Sequence, residues 1–490
     1  MSYQQYNRNS FVDRMCQRFS LSMDNDWTER ESILYIYRKF LDSTIYDNLA
    51  PWNCEYEGGQ LSGKYTPLAK RRPSVIYAIP QIIVNESTSM LFGDNHFPII
   101  RGADDEDTRT LKYISDSCFL PSKMMDAAKK GSLGSVCVLV KVLLSQFFID
   151  VLDTVSLIPV FDEQRPGKLL NLREKRKVTG ATLQSKGYEI DDKDRNKLFF
   201  AMREWTEFEE IYYIPFECKK SEDINFLPEK DEGRSSIHNL GFVPAVWIKN
   251  SSNDEKIDGD CTFSAILDTC IEIDYQLSQL GRLLKYNSDP TLVIKDPSNL
   301  SDQQLIKGIG PITLGENGDA WMLEMTSGST NAVIDYVRCL RDFAIEVVRG
   351  NRANPEKISG LHSGKALQML NANLIEFVSS LRISYGNGLK DILNIIFQII
   401  DSEKFIIDLN GNNIKSFNKN DVILDWGQWY PSTPQDDLQE SQTIGNYVDA
   451  GIISRSTGTR AVADQFNIID VFEEIKVLTN FNKNEMIKTV

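Results

Sequence analysis

Apolar residues recur at helical spacing through the first 130 positions, and then the pattern switches to alternation. Thr28-x-x-Glu31 reads as a capping box that starts a helix carrying Ile33, Leu34, Tyr37, Phe40 and Leu41. A second amphipathic stretch is predicted over 80–92, ending at Gly93 as a C-terminal glycine. A third, over 104–117, has acids in its first turn, and a fourth, over 121–130, stops at Gly131. Residues 135–144, 147–154, 206–216 and 242–248 are rich in β-branched and aromatic side chains and are predicted strands. Residues 1–250 therefore read as α+β, helices first and a sheet after. Residues 219–234 form a charged connection.

Beyond Asp260 the apolar spacing becomes regular. Phe263, Ile266, Cys270, Ile273, Leu277, Leu280 and Leu284 alternate steps of 3 and 4, a heptad seam over three repeats. A second helix over 330–349 carries Val333, Val337, Leu340, Ala344 and Val347. Between them lies a Gly- and Pro-containing insert, 288–329, with strand-like pieces at 291–294, 311–314 and 321–325. Two helices that leave and return around an inserted module predict an antiparallel arm. In a single chain such an arm leaves apolar surface wet, and a symmetric oligomer covers it.

The segment 350–361, GNRANPEKISGL, is a loop with Arg349, Arg352 and Lys357 in it or at its edge. A long helix follows over 363–401, with Leu367, Leu370, Leu374, Phe377, Val378, Leu381, Leu389, Ile392, Leu393 and Ile396 on one face. It would be on the order of 55 Å long, with a kink expected at Gly386 and Gly388. Strands are predicted at 405–409 and 422–426, and small helices over 437–478, broken at Gly451 and Gly458.

Length and composition then limit function. The 490 residues suggest roughly three domains. With 54 Lys+Arg against 69 Asp+Glu, the net charge is -15. That excludes a protein that grips nucleic acid by neutralising phosphates, but not one that encloses it. No apolar run approaches the roughly 20 residues of a membrane span, and no signal-peptide core is present, so a soluble, non-secreted product is expected. The eight scattered cysteines, without a C-x-x-C, read as free thiols of a reducing cytosol. Three separated histidines, His96, His238 and His362, make a zinc site improbable.

The motifs that hint at chemistry fail on inspection. GLHSGK at 360–365 is one residue short of a phosphate loop and has Ala366 where Ser or Thr is required. DEKIDGD at 254–260 breaks the calcium-loop alternation at Lys256 and has Ala265 where the closing Glu belongs, so a solvated turn is expected. DDED at 104–107 fits a helix dipole better than a metal. No G-x-S-x-G occurs. Neither a cofactor nor a metal nor a catalytic residue is expected, and the chain reads as a non-enzyme.

Four segments, in order, resemble a known family. They are Val84 to Gly93 with its LFG turn, His238-Asn239-Leu240-Gly241-Phe242-Val243-Pro244, Ser363-Gly364-Lys365-Ala366-Leu367, and Ala450-Gly451-Ile452-Ile453-Ser454-Arg455-Ser456-Thr457. With the arm in its place between the second and third, the chain resembles the portal, or head-tail connector, protein of long-tailed bacteriophages. The resemblance covers nearly the whole chain.

The resemblance implies an α+β portal fold. Residues 1–259 and 362–430 would form a wing, 260–287 and 330–349 two stem helices, 288–329 a clip, 350–361 a tunnel loop and 431–490 a short helical crown. It implies a ring, most often of twelve subunits, at one capsid vertex, through which double-stranded DNA is packaged and ejected. The implied partners are the terminase, the major capsid or scaffolding protein and the head-completion adaptor, without a membrane. Assembly would occur in the host cytoplasm and the product would reside in the virion. Arg349, Asn351, Arg352, Asn354 and Lys357 would face DNA. Phe263, Ile266, Ile273, Leu277, Leu280, Leu284, Val333, Val337, Leu340 and Val347 would form the stem seam, within and between subunits. Another phage connector or baseplate part, and an acidic cytosolic enzyme, remain alternatives on the residues alone.

Overall fold

Several helices of this chain begin where a side chain satisfies the first free backbone N–H groups. A computed structural model describes residues 10–23, 27–57, 63–93, 96–165, 167–218, 228–251, 256–288, 291–295, 318–323, 328–350, 368–369, 371–405, 421–430, 434–462 and 475–477. After α1 (Ser10–Phe19), α2 (Glu29–Leu41) opens on the capping box: the Glu31 N–H donates to Thr28 Oγ1 and the Thr28 N–H to Glu31 Oε2. In α3 (Ile79–Phe92) the expected C-terminal glycine is present for a different reason. Gly93 has φ -63° and ψ 174°, so it is not left-handed. A Cβ there would run into the Ser89 carbonyl that the Gly93 N–H bonds at 2.7 Å. After β1 (Ile99–Arg101), α4 (Asp105–Ser117) is capped by Asp104, which accepts from the Asp107 N–H at 2.7 Å. Then comes α5 (Leu120–Gly131).

The strands follow: β2 (Ser135–Leu143), β3 (Gln146–Leu152), β4 (Leu157–Phe161), β5 (Leu169–Thr179), then short helix α6 (Gly180–Ser185), β6 (Leu198–Trp205), β7 (Glu209–Tyr212), β8 (Phe216–Glu217), β9 (Ser236–Ile237) and β10 (Ala245–Lys249). They form a three-stranded antiparallel sheet, β10-β2-β3, and a larger one, β4-β5-β6-β7-β9 with β8 beside β6. The strand expected over 206–216 is interrupted. Thr206 forms a hairpin turn instead, its Oγ1 accepting from the N–H groups of Phe208 and Glu209. The long strand β5 escapes sequence reading because all five residues of its centre, Arg173 to Lys177, are charged. It forms because Arg173 lies opposite Glu204 and Glu174 opposite Arg203 on β6, and both carboxylates are buried by these pairs.

The arm then appears: α7 (Leu267–Ser288), β11 (Thr291–Lys295), β12 (Asp319–Leu323) and α8 (Gly328–Val347). The two strands pair antiparallel, and the two helices pack together. The expected piece at 311–314 lies outside the described residues. Next among the described residues come α9 (Ala372–Asp401), β13 (Ile423–Asp425), which pairs antiparallel with β1, α10 (Pro434–Asp449) and α11 (Arg455–Val462). Most of the strand predicted at 405–409 and the start of the long helix at 363–367 lie outside the described residues.

The chain divides into two units, Met1–Arg352 with Glu376–Gly427, and Ala353–Ile375 with Gln428–Val490. In the first, the main core joins α1, α2 and α3 to α7 and α8 through Met15, Phe19, Leu34, Ile36, Ile83 and Ile271. In the second, α10 packs on α11, and Asn371 donates to the Tyr430 hydroxyl at 2.8 Å. Gly451, at φ 70°, ends α10 as expected. Gly458 does not break a helix. It lies inside α11, and a Cβ there would sit 3.0 Å from Val448 Cγ2.

No break marks Gly386 or Gly388 in α9, which is one element of 30 residues, about 45 Å long. Gly388 is small because β10 closes on it: a Cβ would lie 2.6 Å from Cγ1 of the buried Ile248. Gly388→Ala should therefore cost about 1–2 kcal/mol, since overpacking exceeds the roughly 1 kcal/mol gained in helix propensity. Gly281→Ala, with no atom within 4 Å of the new Cβ, should instead stabilise by up to about 1 kcal/mol. Chemical denaturation of both variants checks the pair, and a stabilised Gly388 variant would refute the close-approach explanation.

Candidate functional site: the helical arm and its connecting loop

The heptad seam of α7 is used in two ways along its length. Phe263 and Ile273 are fully buried and Ile266 is 1% exposed, all within the core of their own chain. Phe263 meets the Tyr37 ring edge-on, at 6.2 Å between centroids. Leu277 and Leu280 are half-buried, and Leu284 is exposed. The expected wet apolar surface is thus absent from the base of α7, because α1, α2 and α3 cover it.

In α8, Val333, Val337, Leu340 and Ala344 face the core side. The next core position is Val348, not Val347: Val348 is 7% exposed and Val347 59%. The heptad step of 3 fails at this end because an α-helix turns in 3.6 residues, so a straight stripe drifts and takes a step of 4. A second apolar stripe results. Tyr336, Leu340, Phe343 and Val347 follow i, i+4, i+7, i+11, and Tyr336 and Phe343 are 47% and 57% exposed. Their spacing is visible in the sequence, but periodicity alone does not say which of the two stripes stays exposed.

The end of α8 is turned by Arg349, at φ 55°, a left-handed conformation usually given to glycine. The turn is closed by the Gly350 N–H on the Ile345 carbonyl at 2.8 Å and the Arg349 N–H on that of Glu346 at 3.2 Å. The Arg349 side chain reaches Glu376 on α9, N–O 3.5 Å, with both groups exposed. A cavity of about 220 Å³ opens here, lined by Asn250, Asp260, Thr262, Val348, Arg349 and Phe377. Asn351, Arg352, Asn354 and Lys357 lie outside the described residues, as does the 360–365 segment.

The acidic turn before α7 is structural. Asp258 accepts from Arg30 Nε at 2.5 Å and Nη2 at 3.0 Å, and from the Ser135 hydroxyl, tying the turn to α2 and β2. Among the described residues no group of three or more His, Cys, Asp or Glu is placed to hold a metal. All eight cysteines are free, and burial pushes the Cys261 and Cys270 thiols up to about 12, so neither is a ready nucleophile. No helix among the described residues is long and apolar enough to cross a membrane.

No curated protein matches the chain. A family model described as phage portal protein, SPP1 Gp6-like, matches residues 42–476, spanning the arm, the segment that follows it and the long helix α9. The chain therefore belongs to the family of phage portal proteins of the SPP1 Gp6-like type.

Proposed function

We propose that the chain assembles head-to-tail into a ring, of twelve copies by family resemblance, at one capsid vertex, and that double-stranded DNA passes through it during packaging and ejection. In this reading 1–259 and 362–430 are the wing, 260–287 and 330–349 the stem, 288–329 the clip, 350–361 the tunnel loop and 431–490 the crown. The clip docks the terminase and later the head-completion adaptor, and the ring nucleates assembly of the capsid protein with its scaffold. The protein is structural and leaves ATP hydrolysis to the terminase. The observation that carries this reading is the exposed stripe Tyr336–Phe343–Val347 on an arm whose other stripe is already in the core. A subunit with such a face needs a neighbour, and two different surfaces in contact close a ring.

Charge fits a conduit. A channel that bound each phosphate would have to break each contact again as DNA advanced, and a chain of net charge -15 avoids that grip. Arg349, Arg352 and Lys357 are the proposed transient contacts, with Asn351 and Asn354 as neutral partners for phosphate oxygens. Replacing the three cations by Ala should reduce packaged DNA per particle several-fold, while rings still form under negative-stain microscopy. Unchanged packaging and ejection would sink this assignment.

A further inference from the structure

One turn of α7 holds the segment before α3 at three successive points. The Tyr275 hydroxyl donates to the Arg71 carbonyl at 2.9 Å. The Val75 N–H donates to Ser278 Oγ at 3.0 Å. The Tyr77 N–H donates to Asp274 Oδ1 at 2.8 Å, while the Tyr46 hydroxyl donates to Asp274 Oδ2, also at 2.8 Å. On α8, Arg341 acts electrostatically on the Tyr77 side chain. Tyr77 thus joins both helices of the arm to the body. The next residue, Ala78, is left-handed at φ 53°, a conformation an alanine keeps only when its surroundings impose it.

Asp274 is 5% exposed, and among the described residues no cation is found acting on it. On its own helix it faces Cys270 and Tyr275, and from the turn after α2 it faces Tyr46. Burial holds the protons on all three of these groups. Arg18 on α1 acts on Tyr275, and Arg341 on α8 is taken by Asp342 and Tyr77. A neutral carboxyl would keep every bond: Oδ1 still accepts from Tyr77, and Oδ2–H donates to the Tyr46 oxygen after its hydroxyl rotates. An ionised carboxyl keeps the same two bonds but leaves a charge without a counter-ion in a dry site.

We propose that Asp274, Tyr46, Tyr77 and Arg341 form a proton-operated clasp between the arm and the body, shut when the Asp274 carboxyl is protonated and loosened when it ionises. The sign follows from burial, which raises the carboxyl from 3.8 to about 6. The closed state binds the proton more tightly than the open one. Its stability is full below 3.8 and is lost as pH rises through about 6. The clasp does not depend on ring closure, so its failure and the failure of the portal reading are separate results.

Hydrogen–deuterium exchange on the full-length chain tests it, followed in peptides covering 71–78 and corrected for the intrinsic pH dependence of exchange. Protection of this segment should fall about tenfold between pH 5 and pH 8 in the wild type, the factor that a rise from 3.8 to about 6 dictates. In Asp274→Asn, which keeps an acceptor for Tyr77 and offers a donor to Tyr46, protection should stay within twofold over that range. Tyr46→Phe removes a bond to the ionised form and should move the midpoint to higher pH. A flat wild-type profile, or an unchanged slope in Asp274→Asn, overturns the clasp. So does a Tyr46→Phe midpoint that stays put or moves to lower pH.

Discussion

Phe343→Asp should abolish rings while leaving a folded chain. Phe343 is 57% exposed between Tyr336 and Val347, so its removal costs the isolated fold little. At a subunit interface the same change loses about 1.5–3 kcal/mol of apolar burial and adds a charge without a partner. Together these amount to roughly 3–5 kcal/mol at each contact, or about a hundredfold to several thousandfold in affinity. Every interface of a closed ring carries the same lesion, so assembly fails as a whole. Light scattering should report a small species, and the thermal midpoint should move by no more than a few degrees. Full rings at wild-type concentration would place the interface elsewhere on the arm.

Phe263→Ala should do the opposite and unfold the chain before assembly is at issue. Phe263 is fully buried, packs edge-on against Tyr37 and belongs to the core that anchors α7 to the N-terminal helices. Truncating a buried Phe costs about 3–5 kcal/mol, partly for the cavity left behind. The first unfolding transition by circular dichroism should fall by that amount, and the soluble yield should drop with it. Were Phe263→Ala as stable as the wild type but unable to form rings, Phe263 would be an interface residue after all. One aromatic lies just before α7 and the other on α8, and their burial tells them apart.

This contrast marks where sequence reading stops. The arm was legible because its periodicity is local: the 3-and-4 spacing of α7 and α8 is set by helix geometry alone. The capping box was legible for the same reason, as Thr28 and Glu31 act within three residues of themselves. Strand β5 was not, because Arg173 and Glu174 make sense in a strand only once Glu204 and Arg203 lie opposite. The close packing at Gly388 was not legible, since its neighbour is Ile248, 140 positions earlier in the chain. The environment of Asp274 comes from Tyr46 and Tyr77, far away in sequence, and no local pattern carries it.

By itself, the sequence determined the α+β class, the two-helix arm with its insert and the family that its segments resemble. These depend on periodicity, capping and composition, which act between near neighbours. The tertiary structure alone decided which apolar stripe of the arm is spent on the subunit's own core and which stays exposed. It also decided which carboxylate is left without a counter-ion. Both are matters of burial, and burial depends on residues that the chain brings together from hundreds of positions away.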